Sequence, residues 1–307
     1  IDDAIVNGGD NMCGIGSTLE GFGINQFMYE FVLDKAWSSG ISDEDWVRTL
    51  ASRRTGRVDP HAENVWKTLT DSIYIAGSFS SQTPLTCARP CLEGYWSWTS
   101  IHNTRYDNGT LIRAWKELLE VPSDRDTYYS DVVNLGTQAL GNHFAVLRDQ
   151  FTAAYRASDL EAARSVADQM LQLLDDLDAL AACDPQLSLK RWLDDASAWG
   201  RTPEESAYYR RNARTIITVW GDSKTLLDYA TRLWSGLVKS YCAPRWEMYI
   251  AEILSCIEDG REYDQTAFFE RLTEFEKSWA VSDDPIVYNE PVCPVAFSRE
   301  LISRYGL

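Results

Sequence analysis

The sequence predicts a mainly α-helical chain, with one β/α unit over residues 1–41 and a large all-α domain over residues 42–307. Three observations lead there. From Ser42 onward, helix-start and helix-stop residues bracket apolar positions spaced three or four apart. No hairpin signal and no sustained alternation of apolar and polar residues occurs. Residues 1–41 differ: a short mixed run, a glycine-rich turn and a helical pattern over Asn25 to Trp37 give a strand–loop–helix order. One such unit cannot bury its own strand, so more of a sheet or barrel is expected from outside the chain.

The glycine-rich turn places Gly14, Gly16, Gly21 and Gly23 around Glu20. Glycines at that density let backbone turn sharply or approach a ligand closely. Taken alone, the run also fits a solvated surface turn. The helix behind it carries Tyr29, Val32, Leu33 and Ala36. Ser42 followed by Asp45 is a capping-box start, and Gly56 is its stop. Asp59-Pro60 pairs an N-cap with proline at the first helical position, ahead of Trp66, Leu69 and Ile73 on one face. Residues 78–106 form the longest irregular stretch, with Trp96 and Trp98 embedded. A loop of that length in a compact domain is usually functional or disordered, and the aromatics argue against disorder.

A helix carrying Leu111, Trp115 and Leu118 follows. A long one over residues 126–156 has Val132, Leu135, Ala139, His143, Val146 and Phe151 on one stripe, which makes His143 a core residue. Ser158 with Glu161 reads as a second capping box, opening a stripe from Ala163 to Leu177 that returns as the second half of an antiparallel hairpin. A helix over Trp192 to Trp199 stops at Gly200, and Thr202-Pro203-Glu204-Glu205 starts the next. Four more are expected over Leu226 to Tyr241, Trp246 to Ile257, Gln265 to Trp279 and Val295 to Tyr305.

Composition excludes several classes of function. A formal charge of −17 repels nucleic acid and anionic membrane surfaces. No apolar run approaches the about 20 residues needed to span a bilayer. Three histidines and no CxxC pair argue against a zinc site. Twelve tryptophans beside 15 tyrosines favour a carbohydrate protein mildly, because sugars pack on aromatic faces. Cys87 and Cys91 are close enough in sequence to pair, which the sequence leaves open. Asn108-Gly109-Thr110 is an N-glycosylation sequon. The chain starts at Ile1 with no signal-like segment, so a secreted protein of this sequence is expected to be processed.

The glycine-rich turn does not stand alone. WVRTLASRRTG (Trp46 to Gly56), CARP (Cys87 to Pro90) and VWGDSKTLLDYA (Val219 to Ala230) follow it in order. Together they resemble glycoside hydrolase family 89, the lysosomal α-N-acetylglucosaminidases, over almost the whole chain but only the C-terminal part of such an enzyme. The resemblance implies the last unit of an eight-fold β/α barrel followed by the family's helical domain. Gly14 to Gly21 is similar to the family's nucleophile motif, which makes Glu20 the nucleophile of a retaining exo-glycosidase and Asn25 a supporting residue behind it. Trp220, Leu226 and Tyr229 match the positions that line the sugar pocket. The acid/base carboxyl group comes from an earlier barrel strand that this sequence does not contain. The implied partners are an N-terminal chain of the same precursor and a glycan ending in α-linked N-acetylglucosamine; homo-oligomerisation is left open. The implied location is secreted or lysosomal/vacuolar, and no metal or organic cofactor is implied.

Residues 78–86 depart from the family by lacking a histidine that holds the sugar, with Ser81 or Gln82 as substitutes. Arg89 is expected to pair locally. Two other readings stay open: a non-catalytic carbohydrate-binding or scaffold subunit derived from the family, and a helical interaction protein. Without the resemblance, Trp220, Leu226 and Tyr229 would read as core.

Overall fold

The computed structural model describes residues 1–17, 26–38, 40–74, 85–94, 96, 104–221 and 226–307. Among them are twelve α-helices and no strand. The strand expected ahead of the glycine-rich turn is therefore corrected. Asp2–Gly8 form helix α1, continued by a 3-10 turn over Gly9–Asn11. The physical reason is local. A strand needs a neighbour for its N–H and C=O groups, and a helix supplies those partners itself. Asp2 and Asp3 in the first turn also suit the positive end of the helix dipole.

Helix α2 (Gln26–Trp37) docks onto the rest through Phe27, whose ring lies 5.3 Å from Trp46, 5.7 Å from Trp66 and 4.8 Å from Tyr74. Charge fixes the same contact. Arg54, buried, donates to Asp131 at 2.6 Å and to Glu30 of α2 at 2.9 Å. On α2, Met28, Leu33 and Trp37 are exposed, Trp37 by 90%.

The caps of the next helices are as the sequence predicts. The Ser42 hydroxyl accepts from Asp45 N–H at the start of α3 (Asp43–Thr55), and Gly56 closes it in the left-handed region. Asp59 caps α4 (Pro60–Thr68), which a π turn extends to Ile73. Helices α5 (Asn108–Leu118), α6 (Asp126–Arg156) and α7 (Leu160–Ala181) follow, with α6 and α7 packed lengthwise as the expected hairpin. The hairpin's turn differs by one residue. Asp159, not Ser158, accepts from Ala162 N–H, because Ser158 takes a positive φ of 53° to reverse the chain and so cannot aim its hydroxyl at the helix. His143 lies half-buried with its ring 5.8 Å from Tyr305, and burial lowers its pKa, in keeping with a packing role.

Helices α8 (Leu189–Ser197), α9 (Pro203–Ile216), α10 (Ala243–Asp259), α11 (Gln265–Val281) and α12 (Pro294–Tyr305) complete the domain. The helix expected over Leu226 to Tyr241 does not form; only a π turn over Val238–Cys242 leads into α10. All seven cysteines are free thiols, so Cys87 and Cys91 are not bridged.

The core is filled by α6 and α7 with α5, α10 and α12 around them. Gly136 is a tight point between them. A Cβ there would lie 2.6 Å from Cζ2 of the fully buried Trp115 and 2.9 Å from Leu180. Gly136→Ala should therefore destabilise by about 1–3 kcal/mol, read as a lower denaturant midpoint at unchanged slope, although alanine favours helix at exposed positions.

Candidate functional site

The C-terminus of α9 builds the site. Trp220 N–H donates to Thr215 O at 2.8 Å, and Trp220 takes a φ of 49°. A bulky residue in the left-handed region is strained and needs its surroundings to hold it there. The chain returns at Leu226, where Tyr229 N–H donates to Leu226 O at 3.1 Å. Asp228, also left-handed at φ 60°, donates its N–H to Thr218 O at 2.9 Å and pins the returning segment to the end of α9. The Trp220 and Tyr229 rings then meet edge to face, with centroids 4.9 Å apart at 73°. Trp220, Leu226 and Tyr229 are all half-buried. Of the three positions singled out in the sequence, Trp220 and Tyr229 thus meet, Leu226 lies three residues ahead of Tyr229, and none is enclosed in the core.

The turn is held by a buried charge network that the sequence reading missed. Asp228 and Arg245 are both fully buried. Arg245 Nη1 donates to Asp228 Oδ2 and to Glu276 Oε1, each at 2.9 Å, and its Nη2 donates to Cys87 O at 2.6 Å. Arg89 Nε donates to the same Glu276 at 3.1 Å, and Arg89 Nη2 donates to Glu276 Oε2 and to Thr273 at 2.8 Å. The expected local pairing of Arg89 is corrected: its partner lies on α11, 187 residues away. Two guanidiniums and two carboxylates cancel, which is how charges survive where water is excluded. One signal was available in the sequence. CARP and LLDY each carry a charge inside an apolar run, but spacing does not say which charges meet.

Burial pushes Asp228 up to about 6 against the pull of Arg245, and burial likewise pushes Asp131 up to about 6 against Arg54. The unfolded aspartate titrates near 3.9. Between those values the folded chain binds more protons than the unfolded one, so stability falls as pH rises through about 6. The melting temperature should be higher at pH 5.5 than at pH 7.5; an unchanged or reversed order would show that these carboxylates stay ionised throughout.

Glu20 and Asn25 lie outside the described residues. Asn108 opens α5 half-buried; its Nδ2 donates to Ala139 O at 3.2 Å and its Oδ1 accepts from Asn142 at 2.8 Å. One amide hydrogen is thus used by α6. Among the described residues, no group of three or more His, Cys, Asp or Glu is placed to hold a metal ion, and no helix is long and apolar enough to cross a membrane.

The model of the α-N-acetylglucosaminidase C-terminal domain family matches residues 46–304, from α3 through α12. The chain belongs to this family. Both halves of the charge network and all three clustered residues at the end of α9 lie inside the match. Human α-N-acetylglucosaminidase is 28% identical over 281 residues, which are 88% of this chain and 37% of that protein. A family 89 glycoside hydrolase from Clostridium perfringens, solved with its substrate GlcNAc-α-1,4-galactose in a form carrying two Glu→Gln substitutions, superimposes with a TM-score of 0.87. That likeness covers 99% of this chain and 36% of the other at 22% identity, and shows the fold. The same Clostridium perfringens family 89 hydrolase in complex with PUGNAc gives a TM-score of 0.82, at 22% identity over 92% of this chain and 34% of that one. The α-N-acetylglucosaminidase C-terminal domain therefore accounts for the helical fold, and the chain spans little more than a third of the length of these relatives.

Proposed function

We propose that this chain is the C-terminal part of a retaining exo-α-N-acetylglucosaminidase. Terminal, non-reducing α-linked N-acetylglucosamine is its substrate class, and its setting is secreted or lysosomal/vacuolar. The observation that supports this reading is the contact between the half-buried Trp220 and Tyr229 rings, with the half-buried Leu226 three residues ahead of Tyr229, all within the family match. Trp220 offers a ring face to the C–H side of a pyranose, Tyr229 a hydroxyl, and Leu226 an apolar contact for the acetamido methyl. Glu20 attacks the anomeric carbon, the leaving oxygen takes a proton from a carboxylic acid outside this chain, and the same group then activates water to hydrolyse the glycosyl ester. No cofactor takes part.

Trp220→Ala and Tyr229→Phe test the pocket. In the full-length polypeptide, each should lower kcat/KM on an aryl α-N-acetylglucosaminide by about tenfold or more while melting as wild type does. Wild-type rates in both would make the turn structural and favour the scaffold reading.

In this reading an N-terminal portion of the enzyme packs against α1 and α2. Leu33 and Trp37 of α2, Trp37 90% exposed, and Val6 of α1, 79% exposed, are apolar side chains that a β/α barrel would cover. Leaving such surface in water costs about 25 cal/mol per Å². Residues 1–307 expressed alone should be inactive and should aggregate on size exclusion, whereas co-expression with the N-terminal portion should give a single soluble species. A monodisperse, active preparation of this chain by itself would refute the two-part enzyme.

A further inference from the structure

Two of the seven thiols face each other in the core. Cys87 closes the 3-10 turn Leu85–Cys87, and Cys242 ends the π turn that leads into α10. These two turns pack together although about 150 residues separate them in sequence. The start of α10 sets their register. Cys242, Arg245 and Trp246 are spaced three and four apart, so they share one helical face. Arg245 Nη2 donates to Cys87 O at 2.6 Å, and Trp246 Nε1 donates to Thr86 O at 3.0 Å. With two members of that face bonded to the backbone of residues 86 and 87, the third is brought to the Cys87 side chain. The Cys87 thiol donates its own hydrogen to Arg232 O at 3.7 Å, and the Cys242 thiol hydrogen-bonds the Cys87 sulfur. That bond holds Cys87 below the ordinary thiol range, while burial above all pushes Cys242 well above it. Cys91 has a different neighbour: its Sγ accepts from Arg148 Nη1 at 3.9 Å.

We propose that Cys87 and Cys242 form a disulfide bridge, which fastens the turn of the CARP motif to the start of α10 wherever the chain folds in contact with a disulfide oxidant. The oxidant is a small or protein disulfide, such as oxidised glutathione. One cysteine, as its thiolate, attacks a sulfur of the oxidant, forming a mixed disulfide and releasing one thiol. The other cysteine then attacks its partner's sulfur and releases the second thiol. The two cysteines lose two electrons and two protons, and the two released thiols carry them. The protein's sulfurs, already in hydrogen-bond contact, close to about 2 Å. Both side chains are fully buried. The bond therefore forms during folding, before the core is sealed, and is afterwards shielded from reductants. It closes a loop of about 150 residues, and in the chain-entropy account long loops gain most from a cross-link. It also holds the Cys87 carbonyl against Arg245, which adds a covalent tie to the buried charge network. The oxidising setting rests on the secreted or lysosomal reading. A host that secretes the protein supplies the oxidant in either case, so failure of the bridge and failure of that reading stay distinct.

Peptide mapping decides it. The full-length polypeptide is secreted from a eukaryotic host, alkylated in denaturant and digested with trypsin without reduction. Trypsin releases Ser240 to Arg245, in which Cys242 is the single cysteine. That peptide should be joined to the one carrying Cys87 and Cys91, with a mass two hydrogens below the sum of the two thiol peptides. Fragmentation should place the bond on Cys87. Recovery of Cys87 and Cys242 as alkylated thiols, or a bond from Cys242 to any other cysteine, overturns the bridge. A phosphine reductant present during thermal unfolding should lower the melting temperature of the wild type by about 5 °C more than that of Cys242→Ala. Equal shifts in the two proteins overturn the bridge as a fastening of the helical domain.

Discussion

Glu20→Gln in the full-length polypeptide should lower kcat by at least about a thousandfold and leave the melting temperature unchanged. Covalent catalysis by a retaining glycosidase has no spare nucleophile: the amide keeps the shape of the carboxylate but cannot form the glycosyl ester. Glu20→Gly should be equally inactive, and azide should restore turnover by taking the vacant position, yielding a glycosyl azide with inverted configuration. Both variants are read by steady-state rates on an aryl α-N-acetylglucosaminide. A Glu20→Gln enzyme retaining a tenth of wild-type activity would move the nucleophile elsewhere.

Arg245→Met should have the largest effect on stability, about 3–5 kcal/mol, seen as a large fall in the denaturant midpoint. The side chain is fully buried and its two carboxylate partners, Asp228 and Glu276, are fully buried with it. Methionine fills much of the volume but leaves Asp228 as an uncompensated charge and orphans the Cys87 carbonyl. Arg245→Lys should recover only part of the loss, because an ammonium cannot serve Asp228, Glu276 and Cys87 O with a planar fork. Asp228 shares its backbone with Tyr229, so the same variant should also weaken the Trp220–Tyr229 turn. An unfolding free energy within about 1 kcal/mol of wild type, the spread of a tolerated buried swap, would show that the network is dispensable.

Much of the helical fold was legible because its signals are local. The caps at Ser42, Asp59 and Thr202 are short-range hydrogen bonds written in four residues, and each forms as the sequence predicts. The misses share one cause, which is that non-local contacts override a local pattern. Residues 226–241 look helical by periodicity, but the buried Asp228–Arg245 pair and the Thr218 hydrogen bond hold Asp228 in the left-handed region, where a helix cannot continue. Arg89 finds Glu276 across 187 residues, a pairing no spacing rule encodes. At the N-terminus the error runs the other way. A strand reading of residues 1–8 presupposes neighbours from a barrel, and without them the segment closes its own hydrogen bonds as α1. The clustered residues at the end of α9 were found by resemblance alone, since half-buried aromatic and aliphatic side chains carry no signal that separates a pocket from a core edge.

The most direct test of the enzymatic assignment is mass spectrometry of the full-length polypeptide after reaction with a fluorinated N-acetylglucosaminyl donor that forms the glycosyl ester faster than water releases it. A single glycosyl adduct should appear on the peptide containing Gly14 to Gly23, and fragmentation should place it on Glu20. An adduct on any other carboxylate, or hydrolysis with inversion and no adduct at all, would contradict the assignment.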